Sequence, residues 1–237
     1  MIKKKIKQFL NLVGLNLSKY DLNNSDFRLN YFLKKKSIEC IFDIGANVGQ
    51  YGIYLRKIGY KNKIISFEPI LEAYTELDKI SKKDKLWKAY NFGLGDENRD
   101  MQINVSKNSV SSSLLKMNDN HVKAEPESKY IATQNIKINT FEKFISYKKI
   151  VEKKLFLKID VQGYEHQVIA GIKNFNNIEG LQIEMSLEKL YENQMIFEEL
   201  YALIKNKGFE LWDLRRGFCD NKNGKVLQLD GIFFKNN

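Results

Sequence analysis

Cysteine, proline and histidine are scarce in this sequence. The chain of 237 residues contains two of each. Cys40 and Cys219 are too few for a disulfide framework or a cysteine-ligated zinc site. His121 and His166 lack the spacing that is typical of metal ligands, so we expect no metal site. So little proline also excludes a proline-rich linker or stalk.

Long hydrophobic runs are also absent. No apolar stretch is long enough to span a bilayer. The basic N-terminus, MIKKKIKQFLNLVGLNL, lacks the apolar region and the small-residue cleavage site of a signal peptide. Two cysteines fit a reducing compartment. These absences predict a cytoplasmic protein.

What is present is sufficient for one folded domain. The hydrophobic fraction is 43% and the aromatic fraction is 12%, which excludes an intrinsically disordered chain. The net charge of +10 indicates either a nucleic-acid or anionic-membrane surface, or lysines spread over solvated faces. Lysines recur from Lys3 to Lys235 without a block of five, and this favours the second interpretation.

Strand patterns and helix patterns alternate along most of the chain. Strands are predicted at 38–42, 63–67, 86–91, 155–159 and 180–185, and helices at 48–58, 71–80, 141–145, 164–172 and 195–205. This alternation predicts a doubly wound α/β fold, with a mostly parallel sheet and helices on both faces. The last two strands, 209–214 and 226–234, are joined by a turn and should form an antiparallel pair.

A long polar stretch at 106–130 interrupts this alternation. A loop of this length inside a compact domain is usually functional or disordered, so we predict an inserted loop here. Its flanks, 101–105 and 136–139, have β-like patterns. Within the loop, the hydroxyls of Ser111, Ser112 and Ser113 either bond an acceptor or belong to a flexible linker.

The N-terminal segment has an amphipathic pattern. Residues 2–13 space their apolar side chains as in a helix, with lysines between them. We therefore predict a basic helical extension at 1–37, before a catalytic domain at 38–237. The apolar stripe can pack on its own domain or on a second subunit, or it can lie on a membrane. Residues 1–20 are thus a candidate for peripheral membrane contact, and an oligomer is an open alternative.

A glycine-rich turn follows the first predicted strand, with the sequence DIGANVG at 43–49. Glycines let backbone approach a bound ligand closely. The carboxylate of Asp43 can meet the ammonium group of an amino-acid-bearing ligand, but it would repel a pyrophosphate. The glycine spacing also differs from the G-x-G-x-x-G of dinucleotide sites, which disfavours an NAD-dependent oxidoreductase. An ordinary tight turn is the alternative.

Two more polar signals follow the next strands. Glu68 ends the second strand, where an acid accepts hydrogen bonds from both hydroxyls of a ribose. Residues 91–96, NFGLGD, follow the third strand and would flank an adenine. A solvated acid and a simple Gly-Asp turn also explain these features. Glu68 and the NFGLGD segment are in register with Asp43, however, and together the three signals favour a nucleoside that bears an amino acid. S-adenosylmethionine is the common cofactor of that kind.

Four candidate catalytic residues lie further along the chain. Lys158 and Asp160 share one face of a strand, where they form either a structural pair or part of the site. Asp160 can act as a base on an acceptor hydroxyl or hold the sulfonium end of the cofactor. Glu184 ends the following strand and can line the acceptor pocket. His121 titrates in a suitable range for a base, although a solvated loop histidine is the alternative.

Seven segments together resemble the FkbM family of S-adenosylmethionine-dependent methyltransferases. They are FDIGANVGQY (42–51), ISFEP (65–69), NFGLGD (91–96), SVSSSL (109–114), LKIDVQGYE (157–165), IEMSLEKLYENQ (183–194) and LDGIFFKN (229–236). The resemblance covers about residues 38–236. It implies the class I methyltransferase (Rossmann-like) fold and methyl transfer to a hydroxyl oxygen, often on sugars or natural-product scaffolds.

The resemblance also implies site residues. Cofactor contacts are expected at Asp43, Gly45, Asn47, Gly49 and Glu68, and at the neighbouring Ala46, Gln50, Tyr51, Pro69, Gly93 and Leu94. Asp160 resembles the acid closest to the reacting methyl group. Family members often have a glutamate where this chain has Gln162, so an acid role is excluded at that position.

The expected function is O-methylation of a sugar hydroxyl in surface-glycan or related biosynthesis, with a small molecule or a glycan as acceptor. Two alternatives stay open. An RNA methyltransferase would fit the net charge, but no RNA-binding module is recognisable. A non-catalytic protein that binds the cofactor or attaches to a membrane would use the basic first helix.

Overall fold

The structure is a computed structural model, and it describes residues 20–236. The strands are β1 (Cys40–Ile44), β2 (Lys63–Phe67), β3 (Trp87–Tyr90), β4 (Gly93–Leu94), β5 (Arg99–Ser106), β6 (Tyr130–Asn139), β7 (Leu155–Ile159), β8 (Ile178–Ser186), β9 (Phe209–Arg216) and β10 (Gln228–Lys235). The helices are α1 (Ser25–Lys35), α2 (Gln50–Lys57), α3 (Leu71–Ser81), α4 (Asp119–Ala124), α5 (Phe141–Lys148), α6 (Glu165–Ala170) and α7 (Phe197–Asn206).

Seven strands form the main sheet, in the order β3-β2-β1-β7-β8-β10-β9. The first five are parallel, and β10 is antiparallel to both of its neighbours. This order confirms the predicted mostly parallel α/β sheet with an antiparallel C-terminal pair. Because β10 runs the other way, its first residues lie at the rim where the parallel strands end.

Helices cover both faces of this sheet because successive strand side chains point to opposite sides. On one face, Phe42 and Leu157 belong to a core that includes side chains of α5, α6 and α7. On the other face, Ile41 and Phe156 belong to a core that includes side chains of α1, α2 and α3. The strands are therefore apolar at nearly every position, as expected for a parallel sheet that is covered on both sides.

Helix α1 is part of this packing. Asn24 caps it by accepting hydrogen bonds from the N–H groups of Asp26 and Phe27, at 3.0 Å each. Leu29 and Leu33 are buried in the same core as the central strands. The predicted boundary between an extension at 1–37 and the domain therefore does not separate α1 from the core. The helix predicted at 2–13 lies outside the described residues.

The region predicted as an inserted loop at 106–130 is largely ordered. Strands β5 and β6 pair antiparallel along their whole length, and β4 pairs with β6, which gives a second sheet of three strands. Helix α4 and a short 3₁₀ turn lie between β5 and β6. The sequence pattern missed most of β6 because its first half, YIATQ, is largely exposed and does not alternate apolar with polar residues. A strand on a sheet with one solvated face needs few apolar residues.

Within the part of the chain that the structure describes, no helix is both long and apolar enough to cross a bilayer. Over the same residues, no group of three or more histidine, cysteine, aspartate or glutamate side chains could hold a metal ion. Cys40 and Cys219 are both free thiols. Cys40 is a buried core residue, as predicted.

Candidate active site

A cavity of about 420 Å³ lies at the rim where β1, β2, β7 and β8 end. Its size is typical of small-molecule sites. The predicted residues that line it are Gly45, Ala46, Asn47, Gln50, Tyr51, Glu68, Pro69, Gly93, Leu94, Lys158 and Asp160. Four others, Asp43, Gly49, His121 and Glu184, do not lie at its surface.

The turn between β1 and α2 forms the floor of the cavity. Its conformation depends on left-handed backbone at Gly45, Asn47 and Gly49, whose φ angles are 80°, 46° and 93°. A Cβ atom on Gly45 would lie 1.8 Å from the carbonyl oxygen of Asp160. The absence of a side chain at Gly45 therefore allows β1 to pack against the end of β7. Gly45 also lines the cavity, and close approach of a ligand to its backbone stays a prediction.

Glu68 anchors the cavity at the end of β2. Its carboxylate accepts hydrogen bonds from the N–H groups of Asn47 and Ile70, both at 2.8 Å. Each oxygen has a second lone pair, so the carboxylate can also accept two hydroxyl donors of a ribose. Burial raises the pKa of this carboxyl from 4.5 to about 7, and the two N–H donors oppose that effect.

The raised pKa of Glu68 predicts a pH-dependent stability. The folded carboxyl keeps its proton to a higher pH than the unfolded one, so stability falls as pH rises from about 4.5 through about 7. Relative to Glu68→Gln, the wild type should lose up to about 3 kcal/mol over this range. Urea unfolding at a series of pH values measures the difference. The exposed Glu72 gives a control, since Glu72→Gln should track the wild type. If the free energy of unfolding changed with pH in the same way in the wild type and in Glu68→Gln, the prediction would be contradicted.

Asp43 is fully buried, one layer below the cavity. One carboxylate oxygen accepts a hydrogen bond from the Ser66 hydroxyl at 3.1 Å. The other has no hydrogen-bond partner among residues 20–236. Burial raises the pKa of Asp43 to about 6, and the charge of Lys158, its cross-strand neighbour, opposes this. Direct contact of Asp43 with a ligand ammonium group stays a prediction.

Lys158 and Asp160 form the ion pair that the sequence suggested, with a distance of 2.7 Å between Nζ and Oδ2. The Lys158 side chain is 9% exposed, whereas that of Asp160 is 29% exposed at the cavity. Burial acts to raise the pKa of Asp160, but the Lys158 ammonium outweighs it and lowers this pKa below its ordinary value. Asp160 is therefore ionised and open to a ligand.

Glu184 lies behind Asp160, and Gln162 joins the two. Nε2 of Gln162 donates to Oδ1 of Asp160 and to Oε2 of Glu184, both at 2.8 Å. Burial, together with the Asp160 charge, raises the pKa of Glu184 well above its ordinary value. In this pair Asp160 is the ionised partner and Glu184 holds the proton. No local pattern predicts the bridging role of Gln162, whose φ of 55° is also left-handed.

His121 lies away from the cavity. It is 2% exposed, and its ring centroid is 5.2 Å from that of Tyr191 and 5.3 Å from that of Phe218. Burial lowers its pKa to about 4. The solvated loop histidine that the sequence allowed is therefore wrong. Because the imidazole does not reach the cavity surface, we do not assign it as the base.

The serines of the predicted loop bond to their own chain. Ser112 lines the cavity, but its hydroxyl donates to the carbonyl oxygen of Ser109 at 2.7 Å. The hydroxyl of Ser113 donates to the carbonyl oxygen of Gln162 at 2.6 Å. Both side chains are buried. The flexible-linker interpretation is wrong, and these hydroxyls fix the segment over the site.

The structure adds two groups of lining residues that sequence reasoning missed. The apolar group is Ile70, Ile103, Ile136 and Ile138, and the polar group is Tyr54, Gln182 and Asp230. Most of the apolar group comes from the second sheet, which covers the cavity. Ile103, Ile136, Ile138, Gln182 and Asp230 enter the site through the pairing of strands that are distant in sequence, whereas Tyr54 lies on α2 and Ile70 precedes α3.

Comparisons with known proteins identify one family. The FkbM methyltransferase domain model matches residues 43–211. No curated protein matches the chain.

Among solved structures, TehB from Haemophilus influenzae is 12% identical over 88% of this chain, with a TM-score of 0.46. The chain spans 62% of the length of TehB. An rRNA methylase from Streptococcus thermophilus is 12% identical over 90% of this chain and 98% of its own, with a TM-score of 0.45. A TehB-like SAM-dependent methyltransferase from Corynebacterium glutamicum is also 12% identical, over 99% of this chain and 96% of its own, with a TM-score of 0.44.

Proposed function

The chain belongs to the FkbM methyltransferase domain family, and on that premise we propose that it methylates a sugar hydroxyl with S-adenosylmethionine as donor. The observation that supports this proposal most is the ionised Asp160 carboxylate at the surface of the cavity. We propose a small molecule or a glycan as the acceptor. Two free cysteines support a cytoplasmic location.

The residues of the cavity fit this cofactor. The Glu68 carboxylate has free lone pairs for the ribose, and Ile70, Ile103 and Ile138 offer an apolar surface for the adenine. The unpartnered oxygen of Asp43 supplies negative charge beneath the turn, where a methionine ammonium group would lie. When bound, S-adenosylmethionine supplies an electrophilic methyl group on a positively charged sulfur.

Asp160 is the proposed general base. It accepts the hydroxyl proton while the oxygen–carbon bond forms and the sulfur–carbon bond breaks, with the electron pair of the broken bond left on sulfur. Such proton transfer contributes about 10²–10⁴-fold to the rate. The cavity walls orient the acceptor and the donor, and positioning of this kind can supply roughly 7–11 kcal/mol of the barrier.

The charge of the site favours a neutral acceptor over RNA. The carboxyl groups of Asp160 and Asp230 both line the cavity. Carboxyl groups accept hydrogen bonds from sugar hydroxyls, whereas they repel the phosphates of a nucleic acid. The net charge of +10 therefore does not extend to the place where an acceptor must bind.

Calorimetry with S-adenosylmethionine, followed by a methyl-release screen, tests the proposal. We expect one cofactor per chain and product formation with glycosides or nucleotide-linked sugars. Absence of cofactor binding would overturn the assignment as a methyltransferase. Methyl transfer to RNA transcripts alone, together with a steep salt dependence of RNA binding, would overturn only the proposed acceptor class.

A further inference from the structure

We propose that Asp230, Gln182 and Tyr51 form the acceptor subsite, and that its ligand is a neutral polyhydroxylated molecule such as a sugar ring. The inference rests on the proposed function and specifies which residues select the acceptor. All three side chains line the same cavity as Glu68 and Asp160. None of them lies in the glycine-rich turn or at the end of β2, where the nucleoside is expected.

Strand register places these residues beyond the cofactor end of the cavity. Glu68 follows β2, and the sheet continues from there through β1, β7, β8 and β10. Gln182 on β8 is paired with Lys158 on β7, and Asp230 on β10 is paired with Glu184 on β8. Neighbouring strands are about 4.8 Å apart. A ligand anchored by its ribose at Glu68 therefore extends toward β7, and the space at β8 and β10 is left for the acceptor.

The polar groups of the subsite are preorganised. The Tyr51 hydroxyl donates to Oε1 of Gln182 at 2.9 Å. Gln182 in turn forms a side-chain hydrogen bond with Asp230. Burial and the Asp160 charge raise the pKa of that carboxyl, and the Lys158 charge and this hydrogen bond oppose them. The ring of Tyr51 lies over the Lys158 ammonium, with Nζ 5.6 Å from the ring centroid. The amide and the carboxylate are thus fixed next to the Asp160 pair.

The cations near the subsite already have partners. Lys158 is bonded to Asp160, and Arg215 donates to the Tyr54 hydroxyl at 2.9 Å and to the backbone carbonyl of Ser25. Asp230 forms no direct ion pair among the described residues, and its nearest cations are Lys158 and its cross-strand neighbour Arg215, which already have these other partners. A carboxylate in that position binds hydroxyl donors and opposes phosphate, so the subsite selects against charged sugar phosphates.

The test uses the full chain saturated with S-adenosylhomocysteine, so that only the acceptor end of the cavity is free. The probes are unprotected methyl glycosides and the corresponding sugar 1-phosphates, titrated by NMR. We expect glycosides to bind and phosphates to bind more weakly. Asp230→Asn should raise the glycoside Kd by about tenfold, the loss of one charge-assisted hydrogen bond, and leave S-adenosylmethionine affinity unchanged. Asp100→Asn, at an exposed position on β5, is the matched control.

Three outcomes would overturn the inference. They are equal losses of cofactor and glycoside affinity in Asp230→Asn, tighter binding of phosphates than of glycosides, and no glycoside binding at all. Should Asp230→Asn fail to fold, Gln182→Leu removes the amide beside Asp230 and should also weaken glycoside binding alone. Failure of the proposed function is distinguishable, because wild-type protein would then not bind S-adenosylmethionine.

Discussion

Asp160→Asn is expected to lower kcat by about 10²–10⁴-fold, while the Kd for S-adenosylmethionine changes by less than about tenfold. An asparagine retains the shape of the aspartate and one of its two acceptor oxygens, so it keeps the hydrogen bond from either Lys158 or Gln162, but it cannot take the hydroxyl proton. The Lys158 ammonium still has the Asp43 carboxylate as its cross-strand neighbour. Turnover on an acceptor found in the glycoside screen measures kcat, and calorimetry measures cofactor affinity.

The effect on kcat should exceed the effect on cofactor affinity because Asp160 is ionised, whereas its neighbour Glu184 is protonated. Lys158 keeps Asp160 ionised at 2.7 Å, whereas burial and the Asp160 charge keep Glu184 protonated. Two carboxyl groups that share one environment rarely ionise together. The base and the proton-holding group are therefore different residues, although Gln162 bonds both of them.

Glu184→Gln is the matched control. Glutamine is a neutral mimic of a protonated glutamate and can keep the contact with Gln162, so kcat should fall by less than about tenfold. Urea unfolding shows whether each variant is folded. Equal losses of turnover in the two variants, or equal losses of cofactor affinity and kcat in Asp160→Asn, would contradict the assigned roles.

Gly45→Ala should destabilise the protein by more than about 4 kcal/mol, enough to prevent stable folding of many domains. Two costs add at this position. The φ of 80° is unfavourable for any residue with a Cβ atom. In addition, that Cβ would lie 1.8 Å from the carbonyl oxygen of Asp160, a backbone atom that cannot move without separating β1 from the end of β7.

Gly208→Ala separates these two costs. Gly208 has a φ of 87°, and a Cβ atom there would meet nothing within 4 Å. Its substitution should cost only about 1–2 kcal/mol, the backbone penalty alone. Urea unfolding of both variants gives the comparison. Similar losses at the two positions would show that the contact with Asp160 does not limit the fold.

The position of the cavity at the rim of the sheet could be predicted from the sequence. Glu68 and the turn that contains Gly45 each directly follow an apolar strand, and the carboxyl ends of parallel strands meet at one rim of the sheet. Asp160 was predictable for the same reason. The alternation of strands and helices also predicted the main sheet, because burial on both faces makes each strand a continuous apolar run.

The tertiary structure decided which residues line the end of the cavity at β8 and β10, where we propose the acceptor subsite, and which carboxyl groups of the rim are ionised. Asp230 reaches the rim only because β10, besides its predicted pairing with β9, also pairs antiparallel with β8, and no local pattern specifies that second pairing. Gln162 and Glu184 acquire their roles from atoms that meet across strands, and burial then sets where the proton resides. Sequence spacing determines which side chains share a face of one strand, whereas proximity between strands, and with it the electrostatics, depends on the order in which the sheet assembles.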